Sequence, residues 1–267
     1  FGFTAHAGLL SQAVADAAAL FAGDISLRDN ARLDAELLLF HTLGITRAQM
    51  LAHPDRALSQ AEEIAYRQNI ARRLRHEPVQ YITGRQEFYG LDLRVTPAVL
   101  IPRPETEHLV EAVLAHFQLK ASSQLRIADV GTGSGAIAIA LAAHLPQAQI
   151  TATDISPEAL AVARVNAREH NLAHRIHFVE ADLLARPIGD PFDAIVSNPP
   201  YIPDADAPAL HPQVRGHEPA TALFSGPTGL EIYRRLVPQA HAALKLGGLL
   251  ALAIGHEQRG DVAILLT

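Results

Sequence analysis

From Leu125 onward, apolar runs of strand length alternate with amphipathic stretches of helix length, and that alternation constrains the fold more than any other feature. Strands are expected at 125–130, 149–153, 175–179, 192–196 and 247–254, and helices at 135–144, 157–170 and 228–243. Pro157 stands where a first helical turn tolerates it, with Ser156 before it as N-cap. A strand–helix alternation of this kind predicts the α/β class. The expected architecture is a mostly parallel, doubly wound sheet that binds ligands at the carboxyl ends of its strands.

The region before Leu125 has a different grammar. Leu9, Leu10, Ala13, Val14, Ala17 and Leu20 recur at three- and four-residue spacing on one helical face, and Leu33, Leu37, Leu38 and Leu43 form a second stripe. Ser59 followed by Glu62 spells a capping box that opens a helix carrying Ile64, Ile70 and Leu74. Arg72, Arg73 and Arg75 form the one basic cluster there, which reads as a solvated helix end or as a dock for an acidic partner. β-formers at Gln86–Tyr89 and Leu91–Val95 flank Gly90 as in a short hairpin. The expected division is a helical domain at 1–78, a linker with a hairpin at 79–98 and a larger domain at 99–267.

Composition narrows the chemistry. The chain has 267 residues and no cysteine, which excludes a disulfide framework and thiolate-held metal. Its net charge of −6 is the wrong sign for a protein whose main partner is a phosphate backbone. Neither a membrane-spanning run nor a signal-peptide pattern is present, so a cytoplasmic protein is expected. Phe1 in place of Met fits numbering that starts inside a longer chain. The 14 histidines include His170, His174 and His177, but no carboxylate completes a metal motif, so no metal is expected.

Asp129-Val130-Gly131-Thr132-Gly133-Ser134-Gly135 directly follows the first expected strand. Glycines there let the backbone turn sharply and let a ligand approach without meeting a Cβ, although a plain tight turn has the same spelling. Asp154 ends the second strand, where a carboxylate accepts from ribose hydroxyls. The G-x-G-x-G spacing differs from the dinucleotide fingerprint, and Asp129 would repel a pyrophosphate while suiting a cationic amino group. Both details favour S-adenosylmethionine over NAD. Asp182 and Leu183 are candidate adenine contacts, with helix N-capping the other reading of Asp182.

Asn198-Pro199-Pro200-Tyr201 follows the fourth strand and is the most specific feature of the chain. A planar amide or aromatic amine is a poor nucleophile because its lone pair is delocalised. The Asn198 side-chain oxygen and the Pro199 carbonyl can each accept one N–H of a target NH2, aiming electron density at a sulfonium methyl. The prolines hold those acceptors rigid, and Tyr201 offers a flat face to the planar group. The proton can leave once the nitrogen is cationic, so no strong base is needed first.

With Leu100–Glu105, Asp129–Gly135, Asp154 and Asn198–Tyr201 together, the chain resembles the HemK/PrmC family from about Ala31 through Gln258. The stretch Gly216–Leu223 also matches. That resemblance implies a Rossmann-like S-adenosylmethionine-dependent methyltransferase domain preceded by a small helical-bundle domain that docks the substrate. It implies methylation of the side-chain amide nitrogen (N5) of the glutamine in the Gly-Gly-Gln motif of bacterial class I peptide-chain release factors. By the same likeness, Asn198, Pro199 and Tyr201 are catalytic. Gly131, Thr132, Gly133, Ser134, Gly135, Asp154, Leu183 and Asn198 bind the cofactor, and Asp129 and Asp182 join that set on the chemistry given above. Asn198 to Tyr201 hold the glutamine amide, with Arg103 and Glu218 supporting the site or forming a salt bridge that shapes its rim. The family usually continues with a further β-hairpin, so a C-terminal strand is expected beyond Thr267.

Two rivals predict different things. An enzyme that methylates the exocyclic amino group of adenine or guanine shares the Asn-Pro-Pro-Tyr spelling but calls for a basic surface or a base-flipping domain. A non-catalytic binding module predicts decay of Asn198 or the glycine loop, and both are intact. The expected enzyme is a monomer that binds neither membrane nor nucleic acid.

Overall fold

The computed structural model describes residues 9–53, 55–118, 124–185 and 189–267. The chain divides into two compact units. One holds the residues up to Gly84 together with His211–His217, and the other holds Arg85–Leu210 and Glu218–Thr267. The division falls after Gly84, within the expected linker at 79–98, so that the hairpin belongs to the second unit.

The first unit contains α1 (Leu10–Ala22), α2 (Ala31–Leu43), α3 (Arg47–Ala52), α4 (Gln60–Leu74) and α5 (Val79–Thr83). Leu10, Val14, Ala17 and Phe21 are the buried face of α1. The stripe expected on α2 is only partly right: Leu38 is buried, but Leu33 is 53% and Leu37 38% exposed. The buried face is instead Ala31, Asp34, Ala35, Leu38 and Leu39, because small side chains let α2 approach its neighbours closely. The capping box at Ser59 and Glu62 forms as spelled and opens α4. On α4 the inward residues are Tyr66, Ile70 and Arg73, while Ile64 is 52% exposed. Arg73 overturns the reading of a solvated basic cluster. Its Nε donates to Asp34 Oδ2 at 2.8 Å, and both side chains are nearly sealed from solvent. Arg72 is likewise taken up by Glu77.

The second unit opens with the antiparallel hairpin β1 (Arg85–Phe88) and β2 (Leu91–Arg94), followed by α6 (Glu107–His116). Five strands then form one parallel sheet: β3 (Arg126–Val130), β4 (Gln149–Asp154), β5 (Ile176–Glu180), β6 (Phe192–Ser197) and β7 (Leu244–Leu252). Their order is β5-β4-β3-β6-β7. The winding reverses at β3, whose neighbours β4 and β6 lie on opposite sides, and such a switch point leaves a crevice at the carboxyl ends. The helices are α7 (Ala136–His144), α8 (Pro157–Glu169), α9 (Pro212–His217, in the first unit), α10 (Ala220–Leu223), α11 (Glu231–Ala243) and α12 (Arg259–Leu265). Every residue of α7 from Ala136 to Ala142 is buried, which explains its uninterrupted apolar spelling. No described helix is long and apolar enough to cross a membrane.

Candidate active site

The glycine loop follows β3 and is tied to its neighbour. Gly131 and Thr132 both donate their backbone N–H to the Thr153 carbonyl at 2.9 Å. Gly131 and Gly133 have positive φ, and a Cβ at either would point into open space. Gly135 has a different constraint: a Cβ there would stand 3.1 Å from both Ala163 and Ile139, so its bareness lets α7 and α8 approach each other.

Asp154 ends β4 as expected. Its Oδ2 accepts from Gly133 N–H and its Oδ1 from Ser156 N–H, both at 2.9 Å. Each oxygen keeps a lone pair for a further donor. Asp129 lies beneath the loop and is fully buried. Its Oδ2 accepts from Thr132 Oγ1 at 2.6 Å and from Ala138 N–H at 3.1 Å. Its Oδ1 is buried with no partner among the described residues. Burial pushes the Asp129 carboxyl up to about 7 against those two hydrogen bonds.

A cavity of about 360 Å³, within the range of small-molecule sites, opens where these strand ends meet. Gly131 to Ser134, Asp154, Asp182, Leu183, Asn198, Pro200 and Arg103 line it, all in the second unit. Asp129, Gly135, Tyr201 and Glu218 do not line it, and Pro199 is buried between the lining residues Asn198 and Pro200. Tyr201, expected to offer a flat face to substrate, is partly buried and packs against Leu230, Tyr233 and Val262. Its carbonyl accepts from Gln258 at 3.0 Å, which anchors the turn after Pro200. Asp182 opens a turn rather than a helix, and its Oδ2 is paired with Arg235. Arg103 and Glu218 form the ion pair that was one of their two readings. The Glu218 side chain is fully buried and also accepts Ile101 N–H at 3.2 Å, so it pins the Leu100–Glu105 strap.

Asn166 was not among the expected site residues. Fully buried on α8, it accepts Arg94 N–H at 2.8 Å and donates to the carbonyls of Arg94 (3.0 Å) and Ser134 (2.8 Å). The one signal for it was a polar residue on a face otherwise lined by Ala159, Leu160 and Ala163. His170, His174 and His177 do not converge, and among the described residues no group of three or more such ligands could hold a metal ion.

A five-stranded parallel sheet with a glycine loop at its switch point and acidic acceptors at the next strand ends is the fold of S-adenosylmethionine-dependent methyltransferases. The PrmC N-terminal domain family matches residues 12–84, and the methyltransferase small domain family matches residues 107–211. The release factor glutamine methyltransferase of Moorella thermoacetica is 51% identical over 85% of this chain and 79% of its own length. That of Koribacter versatilis is 49% identical (84% and 79%), and that of Chlorobaculum tepidum 46% (89% and 83%). Among solved structures, the hMettl16 catalytic domain in complex with the MAT2A 3′UTR hairpin 6 shares the fold at a TM-score of 0.54. It is 20% identical, over 67% of this chain and 66% of that one. The chain belongs to the release factor glutamine methyltransferase family.

Proposed function

We infer that this chain transfers a methyl group from S-adenosylmethionine to the side-chain amide nitrogen of the Gly-Gly-Gln glutamine in class I release factors. One observation carries the reading. Asn198, an amide suited to gripping another amide, lines the same cavity as the glycine loop and Asp154, in a chain related along most of its length to enzymes named for that activity.

The residues fit the cofactor. Gly131 and Gly133 leave their Cβ positions open, Asp154 retains free lone pairs for ribose hydroxyls, and Asp129 Oδ1 is a buried acceptor without a partner beneath the loop. When bound, S-adenosylmethionine supplies an electrophilic methyl on a sulfonium. The chain's own residues do the rest by positioning. Asn198 and the Pro199 carbonyl accept the two N–H groups of the glutamine amide and turn its lone pair toward the methyl. The Glu218–Arg103 pair holds the strap that walls the cavity. No metal is needed for this chemistry. In this reading the enzyme works as a monomer in the bacterial cytoplasm, without binding nucleic acid.

The direct test is incubation with methyl-labelled cofactor and purified release factor, then mass spectrometry of the Gly-Gly-Gln peptide. Label on the glutamine is expected. Label in nucleic acid instead would favour the base-methylating alternative and overturn the assignment.

Two expectations refine it. Asp154→Ala weakens S-adenosylmethionine binding by about 1.5–3 kcal/mol, the range for hydrogen bonds to a charged group. Calorimetry on the folded variant checks this, and unchanged affinity removes Asp154 from the ribose contact. The helical domain docks the release factor away from the glutamine, so deleting residues 1–84 raises the KM for the protein substrate while cofactor affinity holds. Equal loss of both would make the helices part of the catalytic fold instead.

A further inference from the structure

Asn198 has two faces of opposite character, and only one is useful. Its Oδ1 accepts a hydrogen bond, whereas its Nδ2 donates two. If the amide turned over, Nδ2 would meet the N–H groups of a target amide, donor against donor. The grip on the substrate therefore depends on what holds the Asn198 amide in one orientation.

One side chain does so. Asn198 Nδ2 donates to Thr106 Oγ1 at 3.0 Å. Thr106 is buried, at 8% exposure, and lines the same cavity as Asn198. Its own position is over-determined. Its backbone N–H donates to the Arg103 carbonyl at 3.0 Å, closing the single turn Pro104–Thr106 that leads into α6. The residues before that turn are pinned through Ile101 and Arg103 to the buried Glu218 carboxylate. The strap thus delivers a hydroxyl to the back of the Asn198 amide from a site fixed at both ends.

We propose that Thr106 is a positioning residue for methyl transfer: its hydroxyl accepts the Asn198 Nδ2–H and so keeps Asn198 Oδ1 facing the substrate nitrogen. The inference rests on the glutamine-methylation reading and adds a specificity to it. The strap is part of the device that makes Asn198 an acceptor toward substrate, besides being a wall. It also gives the Arg103–Glu218 pair a chemical consequence, because that pair sets where the hydroxyl stands.

The test exploits the symmetry of a carboxylate. Aspartate at 198 presents an acceptor oxygen whichever way it turns, so an orienting hydroxyl has nothing left to decide. Single-turnover rates and KM for release factor are measured for wild type, Thr106→Val, Thr106→Ser, Asn198→Asp and the Asn198→Asp/Thr106→Val double variant. Thr106→Val is expected to slow methyl transfer about tenfold, the effect of one buried hydrogen bond and its orphaned donor, with KM for release factor nearly unchanged. Thr106→Ser, which keeps the hydroxyl, is expected to restore most of the rate. In the Asn198→Asp background, Thr106→Val is expected to change the rate by less than about threefold, as the coupling of directly contacting residues requires. An equal fold-loss in both backgrounds would show a merely structural threonine and overturn the proposal, as would a Thr106→Val enzyme as fast as wild type. Should the valine variant fail to fold by thermal melting, Thr106→Ala takes its place in the same comparison, and the same outcomes support or overturn the proposal. A wild-type chain that leaves the release-factor glutamine unlabelled fails the broader reading first, so the two failures are distinct.

Discussion

Replacing Asn198 by alanine is expected to lower kcat by about 10²–10³, the loss typical of removing one preorganised hydrogen-bonding group from a transition state. The effect falls on kcat rather than KM, because the rest of the release factor still supplies ground-state binding. Asn198→Asp keeps an acceptor oxygen in place and sets a negative charge beside a sulfonium, so it retains more activity than the alanine variant. Single-turnover rates with saturating cofactor are the measurement. An Asn198→Ala enzyme as fast as wild type would mean that another group aims the nitrogen.

The largest expected change in stability lies far from that chemistry, in the helical unit. Arg73 and Asp34 are sealed together, with side-chain exposures of 5% and 9%, and Arg73 also donates to the Glu77 carbonyl at 3.1 Å. Arg73→Ala leaves a buried carboxylate without its partner, a change that typically costs about 3–5 kcal/mol. Denaturant unfolding followed by helical circular dichroism reads it. The loss depends on pH in a definite sense. Burial holds the Asp34 carboxyl above its ordinary value of 3.8, even against the pull of Arg73. A group whose folded pKa is raised gives stability that is complete below the unfolded pKa and lost as pH rises through the folded one. The Arg73→Ala deficit is therefore smallest in acid, below 3.8, and grows as pH rises above it. Replacing both partners with apolar residues of similar volume recovers most of the deficit, since neither is then left charged and buried. A deficit under about 1 kcal/mol, the range of a surface pair, would show that the pair is not sealed in solution.

The same pair marks the limit of reading this fold from its sequence. In the catalytic unit the expected strands begin or end within three residues of the observed ones, because each is a short apolar run bounded by turn residues and each side of the sheet is covered. The glycine loop, Asp154 and Asn198 were legible for a related reason: they sit at strand ends, where the chain order itself brings them together. Arg73 was not legible, since its partner lies 39 residues earlier and no local pattern separates a buried arginine from a solvated one. The α2 stripe failed because that helix carries large apolar residues on both faces, and the approach of its neighbours buries Ala31 and Ala35 rather than Leu33. The motif gives Tyr201 as a residue type but not what it packs on, and its contact with Leu230, Tyr233 and Val262 shows only in the fold. Thr106 and Asn166 contribute single hydroxyl and amide groups from distant segments, and only the folded chain shows what they hold.

Asn166 has a consequence for how the enzyme can be watched. One side chain joins the Arg94 amide at the end of the hairpin to the Ser134 carbonyl in the glycine loop. The Arg94 amide hydrogen is protected from exchange while it is bonded to Asn166 Oδ1, and Nδ2 of the same side chain holds the Ser134 carbonyl, so loosening of Asn166 is felt at both. Anything that steadies the loop raises the free energy of opening. Deuterium uptake at this one amide, outside the glycine loop itself, is therefore expected to slow when S-adenosylmethionine is added, a readout that needs neither labelling of the protein nor the reaction.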